Sequence, residues 1–338
     1  MFVFLLALAC SSEAPADNAA VHPTPQDELR VDATLSERLG MERLSRSELA
    51  PRLGAPLDYE HYQVWPLSLQ VFQDFRLSGA LYLPKAEGPH PGFVMAHGHF
   101  GEGKSSGEAQ APAHALAHQG VVVLAMDTPG VEEGDAPRRQ IHHEDGASNR
   151  SRLEAAGTSA MALQLHGLQA GIDYLESRDD VSWLAAGGAS GGAVQAFYLS
   201  HIDPRIRALV LASFVPMPRK EREGGCACDW IPGGWPSDLI AELPVPSLWM
   251  SEGAESKPET LPDSGHYVRH EGPHGFERPM IAEMSQWLFE IIPEFEPKRS
   301  LPDRIPHAPP TAIQSPDVGE AGIDDILQSA AKESGKID

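Results

Sequence analysis

Six short apolar runs separated by helix-spaced segments constrain this chain more than any other feature of it. They are Gly92-Phe-Val-Met-Ala96, Val121-Val-Val-Leu-Ala-Met126, Trp183-Leu-Ala-Ala186, Ala208-Leu-Val-Leu-Ala-Ser-Phe-Val215, Pro246-Ser-Leu-Trp-Met250 and Tyr267-Val-Arg-His270. Runs this short and this apolar read as strands buried on both faces. Between them lie His114–His118, Ala193–Leu199, and Ala160–Glu176, where Met161, Leu163, Leu165, Leu168, Ile172 and Leu175 recur at helical spacing. Met280–Ile292 follows the last run as an amphipathic helix. Such alternation predicts an α/β domain, with a mostly parallel central sheet and helices on both faces. Ahead of it, Tyr62–Phe72 and Phe75–Pro84 alternate well enough to form an N-terminal antiparallel strand pair.

The domain is therefore expected over residues 59–294. Residues 11–58 read as a polar, proline-containing tether followed by a short helix around Leu35, Leu39, Leu44 and Leu49. Residues 295–338 read as an irregular tail with a weak helix near Ile323–Ala331. Residues 1–10 form an apolar run ending in Leu8-Ala9-Cys10, too short to span a bilayer and suited to the core of an export signal. Cys10 resembles the lipidated cysteine of a bacterial lipobox, which implies an exported lipoprotein held at a membrane only through its lipid. An ordinary secretory signal and a spurious apolar start are the alternatives; no Lys or Arg precedes the run, and Ala7 stands where leucine is usual. The other two cysteines, Cys226 and Cys228, form either a small strained disulfide or two free thiols. Acidic residues outnumber basic ones, 48 to 26, for a formal charge of −22, and that field argues against nucleic acid and anionic lipid as partners.

In open sheets of this kind, ligands bind beyond the carboxyl ends of the strands, so chemistry is sought in the turns that follow them. After Leu184-Ala-Ala comes Gly187-Gly188-Ala189-Ser190-Gly191-Gly192, which contains Gly-x-Ser-x-Gly. A nucleophile elbow needs this pattern, because a strand turning sharply into a helix presents the serine with no room for side chains around it. Acyl transfer also needs two N–H groups aimed at the developing oxyanion. Gly191 supplies one, and His99 or Phe100 in the His97-Gly98-His99-Phe100-Gly101 loop supplies the other.

A histidine base is expected after the last strand. His274, in a Gly-Pro-His-Gly turn, is better placed than His270, which lies inside the run. Glu255 is the first choice for the acid that orients it, with Glu252, Asp263 and Asp229 as alternatives. The order Ser190, Glu255, His274 matches Ser…Asp/Glu…His. His97, His99, His142 and His143 lack the carboxylate or cysteine partners and the helical spacing of a catalytic metal site, so neither metal nor cofactor is expected.

With these residues assembled, the chain resembles an α/β-hydrolase of the dienelactone hydrolase and acetyl xylan esterase type. The resemblance runs from about Gln63 to Ile292. Its matches are Leu81-Tyr-Leu-Pro84, His97-Gly98-His99, Ala125-Met-Asp127-Thr-Pro-Gly130, Ala156-Gly-Thr-Ser159, Gly171-Ile-Asp-Tyr-Leu175, the elbow, and Cys226-Ala-Cys228-Asp-Trp-Ile-Pro-Gly233. The last resembles a segment common in a bacterial branch of these esterases. In that branch a count from the proline-led strand at Pro246 brings the acid to Glu255, where aspartate is usual. The resemblance implies a serine ester hydrolase acting through an acyl-enzyme on carboxylic esters, including acetylated or otherwise acylated carbohydrate. A serine peptidase or thioesterase on the same fold, and a non-catalytic carbohydrate-binding relic, are the competing readings.

Overall fold

The computed structural model describes residues 33–99, 101–131, 137–214, 239–252, 261–293 and 295–333. Cys10, Phe100, Cys226, Cys228, Asp229 and Glu255 lie outside them.

The apolar runs form one sheet. Strands β1 (Arg52–Leu53), β2 (Leu57–Asp58), β3 (Tyr62–Phe72), β4 (Phe75–Pro84), β5 (His90–Ala96), β6 (Val122–Met126), β7 (Val181–Ala189), β8 (Leu209–Ala212), β9 (Ser247–Glu252) and β10 (Gly265–His270) make it up. Their order is β1-β3-β4-β6-β5-β7-β8-β9-β10, with β2 also on β3. The half from β6 to β10 is parallel throughout, whereas β1, β2, β3 and β4 pair antiparallel. The sequence therefore predicts the fold class correctly, down to the antiparallel pair, but β1 and β2 are too short to carry a periodic signal.

Seven α-helices stand among the described residues: α1 (Ala33–Leu39), α2 (Gly107–Gln119), α3 (Ala147–Ala155), α4 (Ala160–Glu176), α5 (Gly191–Ile202), α6 (Arg278–Ile291) and α7 (Ile323–Glu333). Alternate residues of each central strand serve different cores. Val94, Leu124 and Met126 pack with Leu163 of α4, Phe197 of α5, Leu35 of α1 and Ile323 of α7. Phe93, Met95, Val123 and Ala125 pack with Leu116 of α2 and with Met280 and Leu288 of α6 on the other face. With both faces covered, a polar residue at either parity would lose its hydration, and that is why these strands read as unbroken apolar runs. Each fully buried leucine or valine among them contributes roughly 1.5–3 kcal/mol of transfer free energy. Ser159 caps α4 by accepting from Ala162 N at 3.1 Å while donating to Leu39 O at 2.9 Å, and so joins α1 to the domain.

The tail from residue 295 has little regular structure before α7, yet it is held along its length. Gln110 donates to Ala308 O at 2.8 Å and accepts from Ala308 N at 2.8 Å. Ser315 donates to Gly79 O at 3.2 Å. The Arg139 guanidinium is buried, 4.4 Å from the Phe75 ring centre, and donates to Ala321 O, Val318 O and Arg76 O at 2.7–3.0 Å. Burial, with the nearby Arg138 charge, pushes its pKa down to about 10. Ile313, Ile323 and Ile326 enter the cores. Composition suggests only an irregular tail with a weak helix here, because the apolar residues that anchor it are widely spaced.

Candidate active site

Three neighbouring strands end side by side, and each carries a polar residue at its end or just past it. Ser190 follows β7, Ser213 follows β8, and Glu252 ends β9. The backbone ties the row together, Ser190 N donating to Ala212 O at 2.9 Å and Ser213 N to Met250 O at 2.8 Å.

Ser190 has φ 56° and ψ −122°, a conformation that a residue with a Cβ adopts only under strain. Local packing requires it. A Cβ on Gly188 would lie 2.2 Å from Ala96 O, and one on Gly192 would lie 2.3 Å from the same oxygen. The strand β5 thus presses against the turn from below, and only glycine fits on either side of the serine. Gly191 opens α5, so its N–H belongs to the first turn, where no intrahelical acceptor exists. The positive end of the helix dipole falls at Ser190 as well.

His274 lies four residues past the end of β10, its side chain 45% exposed, and its Nδ1 is 2.6 Å from Glu252 Oε1. Glu252 is buried. The acid beside the histidine is therefore Glu252, an alternative in the sequence reading, while the first choice Glu255 lies outside the described residues. Asp263 is exposed and precedes β10. Because β9 and β10 are parallel, it stands at the amino edge of the sheet, a full strand length from Glu252. His270 pairs in register with Glu252 from within β10. The loop that carries His274 is pinned twice more. Gly275 N donates to Ser213 Oγ at 3.2 Å, and Phe276 N donates to the Glu108 carboxylate at 2.6 Å.

The loop after β5 brings His97 into the interior, where its Nδ1 is 2.7 Å from Gly98 O and its Nε2 accepts from Thr128 N at 3.2 Å. Gln195 of α5 donates to His97 O at 3.2 Å, which links this loop to the helix after Ser190. His99 is half-buried, its ring centre 5.2 Å from those of His142 and His143, and His142 Nε2 is 2.9 Å from Thr128 Oγ1. Among the described residues no three His, Cys, Asp or Glu side chains group closely enough to hold a metal ion.

No protein-family model matches the chain, and no curated protein matches its sequence. Solved structures do match its fold. Methylesterase BT1017 superposes with a TM-score of 0.70 at 22% identity, over 90% of this chain and 74% of that one. A putative acetyl xylan esterase from Bacteroides fragilis NCTC 9343 gives 0.56 at 15% identity, over 76% and 86%. Acetyl Xylan Esterase 1 from Thermoanaerobacterium sp. JW/SL YS485 gives 0.53 at 15%, over 78% and 95%. This chain has the α/β-hydrolase fold.

Within that α/β-hydrolase fold, the structure adds charged residues whose partners the sequence does not reveal. Lys104 and Asp127 are both buried. Lys104 donates to Asp127 through its Nζ at 2.9 Å and its backbone N at 2.7 Å. Ser78 donates to the same carboxylate, and His97 Nε2 lies 3.4 Å from it. Burial alone would raise the Asp127 pKa, but the Lys104 ammonium, helped by the Ser78 hydroxyl, holds it below the usual carboxylate range. This pair fixes the end of the His97–Lys104 loop under β6. Lys104 and Asp127 are 23 positions apart in different loops, so neither residue could be assigned to the other before folding.

Proposed function

We propose that this protein is a serine ester hydrolase, with Ser190 as nucleophile, His274 as base and Glu252 as the acid that orients it. The observation that carries the reading is the 2.6 Å contact of His274 Nδ1 with Glu252 Oε1, made in the strand-end row that contains Ser190. A carboxylate on Nδ1 keeps the proton there, which leaves Nε2 free to accept one, and it stabilises the imidazolium formed when Nε2 does so. Ser190 then attacks the ester carbonyl, and the oxyanion meets the N–H groups of Gly191 and of His99 or Phe100. His274 passes its proton to the departing alcohol, and water releases the acid from the acyl-enzyme by the same path. The fold supports esters as substrates, since the structures it matches include a methylesterase and acetyl xylan esterases.

The activities for which those proteins are named differ in which side of the ester is small: a methyl alcohol in one, an acetyl group in the other. Carbohydrate esters are the class common to our reading, and two assays separate the arms: methanol release from a methyl-esterified sugar acid and acetate release from acetylated xylan. The nucleophile is tested by hydrolysis of p-nitrophenyl acetate. Ser190→Ala should lose on the order of a thousandfold or more in kcat, and Glu252→Gln should also be slow. Unchanged hydrolysis by Ser190→Ala would refute the assignment. The run preceding Cys10 supports export as a lipoprotein, and palmitate incorporation that persists in Cys10→Ala would overturn that part.

A further inference from the structure

Glutamate has one more rotatable bond than aspartate, so a glutamate acting as the triad acid needs more than its histidine to hold it in place. Ser213 provides that hold. It follows β8 directly, is buried, and has φ 53°, a left-handed conformation unfavourable for a residue with a Cβ. Its hydroxyl donates to Glu252 Oε2 at 2.7 Å and accepts from Gly275 N at 3.2 Å. A second approach, to Gly275 O, is longer at 3.4 Å, so the single hydroxyl proton points at the carboxylate. The other oxygen of that carboxylate meets His274, the residue before Gly275. Hydroxyl, carboxylate, imidazole and loop backbone thus close into one ring.

We propose that Ser213 is a positioning residue for ester hydrolysis: one hydroxyl sets the rotamer of Glu252 and the place of the loop that presents His274. The inference rests on the reading of Glu252 and His274 as acid and base. The His274 side chain is 45% exposed, so packing does not fix its ring and the two polar anchors must. The left-handed turn at Ser213 is what points its hydroxyl along the row of strand ends toward Glu252. The strain at this residue is retained because the hydrogen bonds that depend on it orient the reacting groups.

The test compares Ser213→Gly, which deletes the hydroxyl and relieves the backbone, with Ser213→Thr, which keeps the hydroxyl but adds a β-branch to a left-handed residue. For Ser213→Gly we expect kcat to fall about 10- to 100-fold with KM within about twofold, as for loss of a hydrogen bond to a charged group in the reacting geometry. The low-field proton resonance expected for His274 Nδ1–H in the wild type should broaden or move upfield in this variant. Ser213→Thr should melt at a lower temperature yet keep kcat within about threefold, because stability follows the backbone and rate follows the hydroxyl. The reverse ordering, or a Ser213→Gly enzyme with wild-type kcat and an intact low-field resonance, overturns the proposal. Glu252→Gln and His274→Ala separate the two levels. If both retain the wild-type rate, the triad reading fails and Ser213 falls with it. If both are slow while Ser213→Gly is fast, only the positioning role is refuted.

Discussion

Replacing Asp127 by asparagine keeps the shape of a fully buried side chain and removes its charge, leaving the Lys104 ammonium with no solvent to turn to. Breaking a buried ion pair from one side costs about 3–5 kcal/mol, because the remaining charge stays desolvated. The Asn oxygen can still accept from Lys104 N, but its amide nitrogen replaces the oxygen that accepts from Lys104 Nζ and Ser78, so the ion pair is lost together with those two hydrogen bonds. For a domain of this size, with a urea slope near 3 kcal/mol per M, the unfolding midpoint should fall by roughly 1–1.7 M.

The pH dependence carries its own sign. The folded carboxyl titrates below its unfolded value, so its contribution is complete above the unfolded pKa and is lost as pH falls through the folded one. The advantage of wild type over Asp127→Asn should therefore be full near pH 6 and shrink from about pH 4 downward. The double variant Lys104→Met/Asp127→Asn should be more stable than the sum of the single losses, since no lone charge is left behind. The reasoning is refuted by a midpoint change under about 0.3 M near pH 6, or by an advantage that stays constant as the solution is acidified.

Other perturbations check separate parts of the site and its support. Gly188→Ala would drive a methyl group to 2.2 Å from Ala96 O, and the backbone must yield; we expect a loss of at least about 2 kcal/mol in urea unfolding and a large fall in kcat. Arg139→Met removes three donors from the carbonyls of residues 76, 318 and 321, so the C-terminal strap should loosen. Trypsin should then cut at Arg299 or Arg304 several-fold faster, read by mass spectrometry. Asp263→Asn should leave kcat and KM for p-nitrophenyl acetate within about twofold, since that carboxylate sits at the amino edge of β10; a large loss would reopen the choice of acid.

The sequence by itself determined strands β3 to β10, most of the helices that cover them, and the turn at Ser190. Those features are local: a buried strand must be apolar at every position, and a tight strand-to-helix turn must be glycine on both sides of its serine. The place of His274 was legible for the same reason, in a glycine-flanked turn after the last strand. The acid was not. Glu252 and Glu255 are three residues apart in the sequence, and nothing in their spacing says which meets an imidazole brought in from β10. The 2.6 Å contact depends on the parallel register of β9 with β10, which is a tertiary fact.

Ser213 was invisible for a related reason. It extends an apolar run as any small residue might, and its partners are 39 and 62 positions away. The buried Lys104–Asp127 pair and the strap held by Arg139 belong to the same class. Each is a polar group whose burial is tolerable only because a distant segment arrives with the complementary charge or carbonyl. Sequence periodicity records which surfaces are hidden from water. Which polar groups meet there is decided when the strands take their order and register in the sheet.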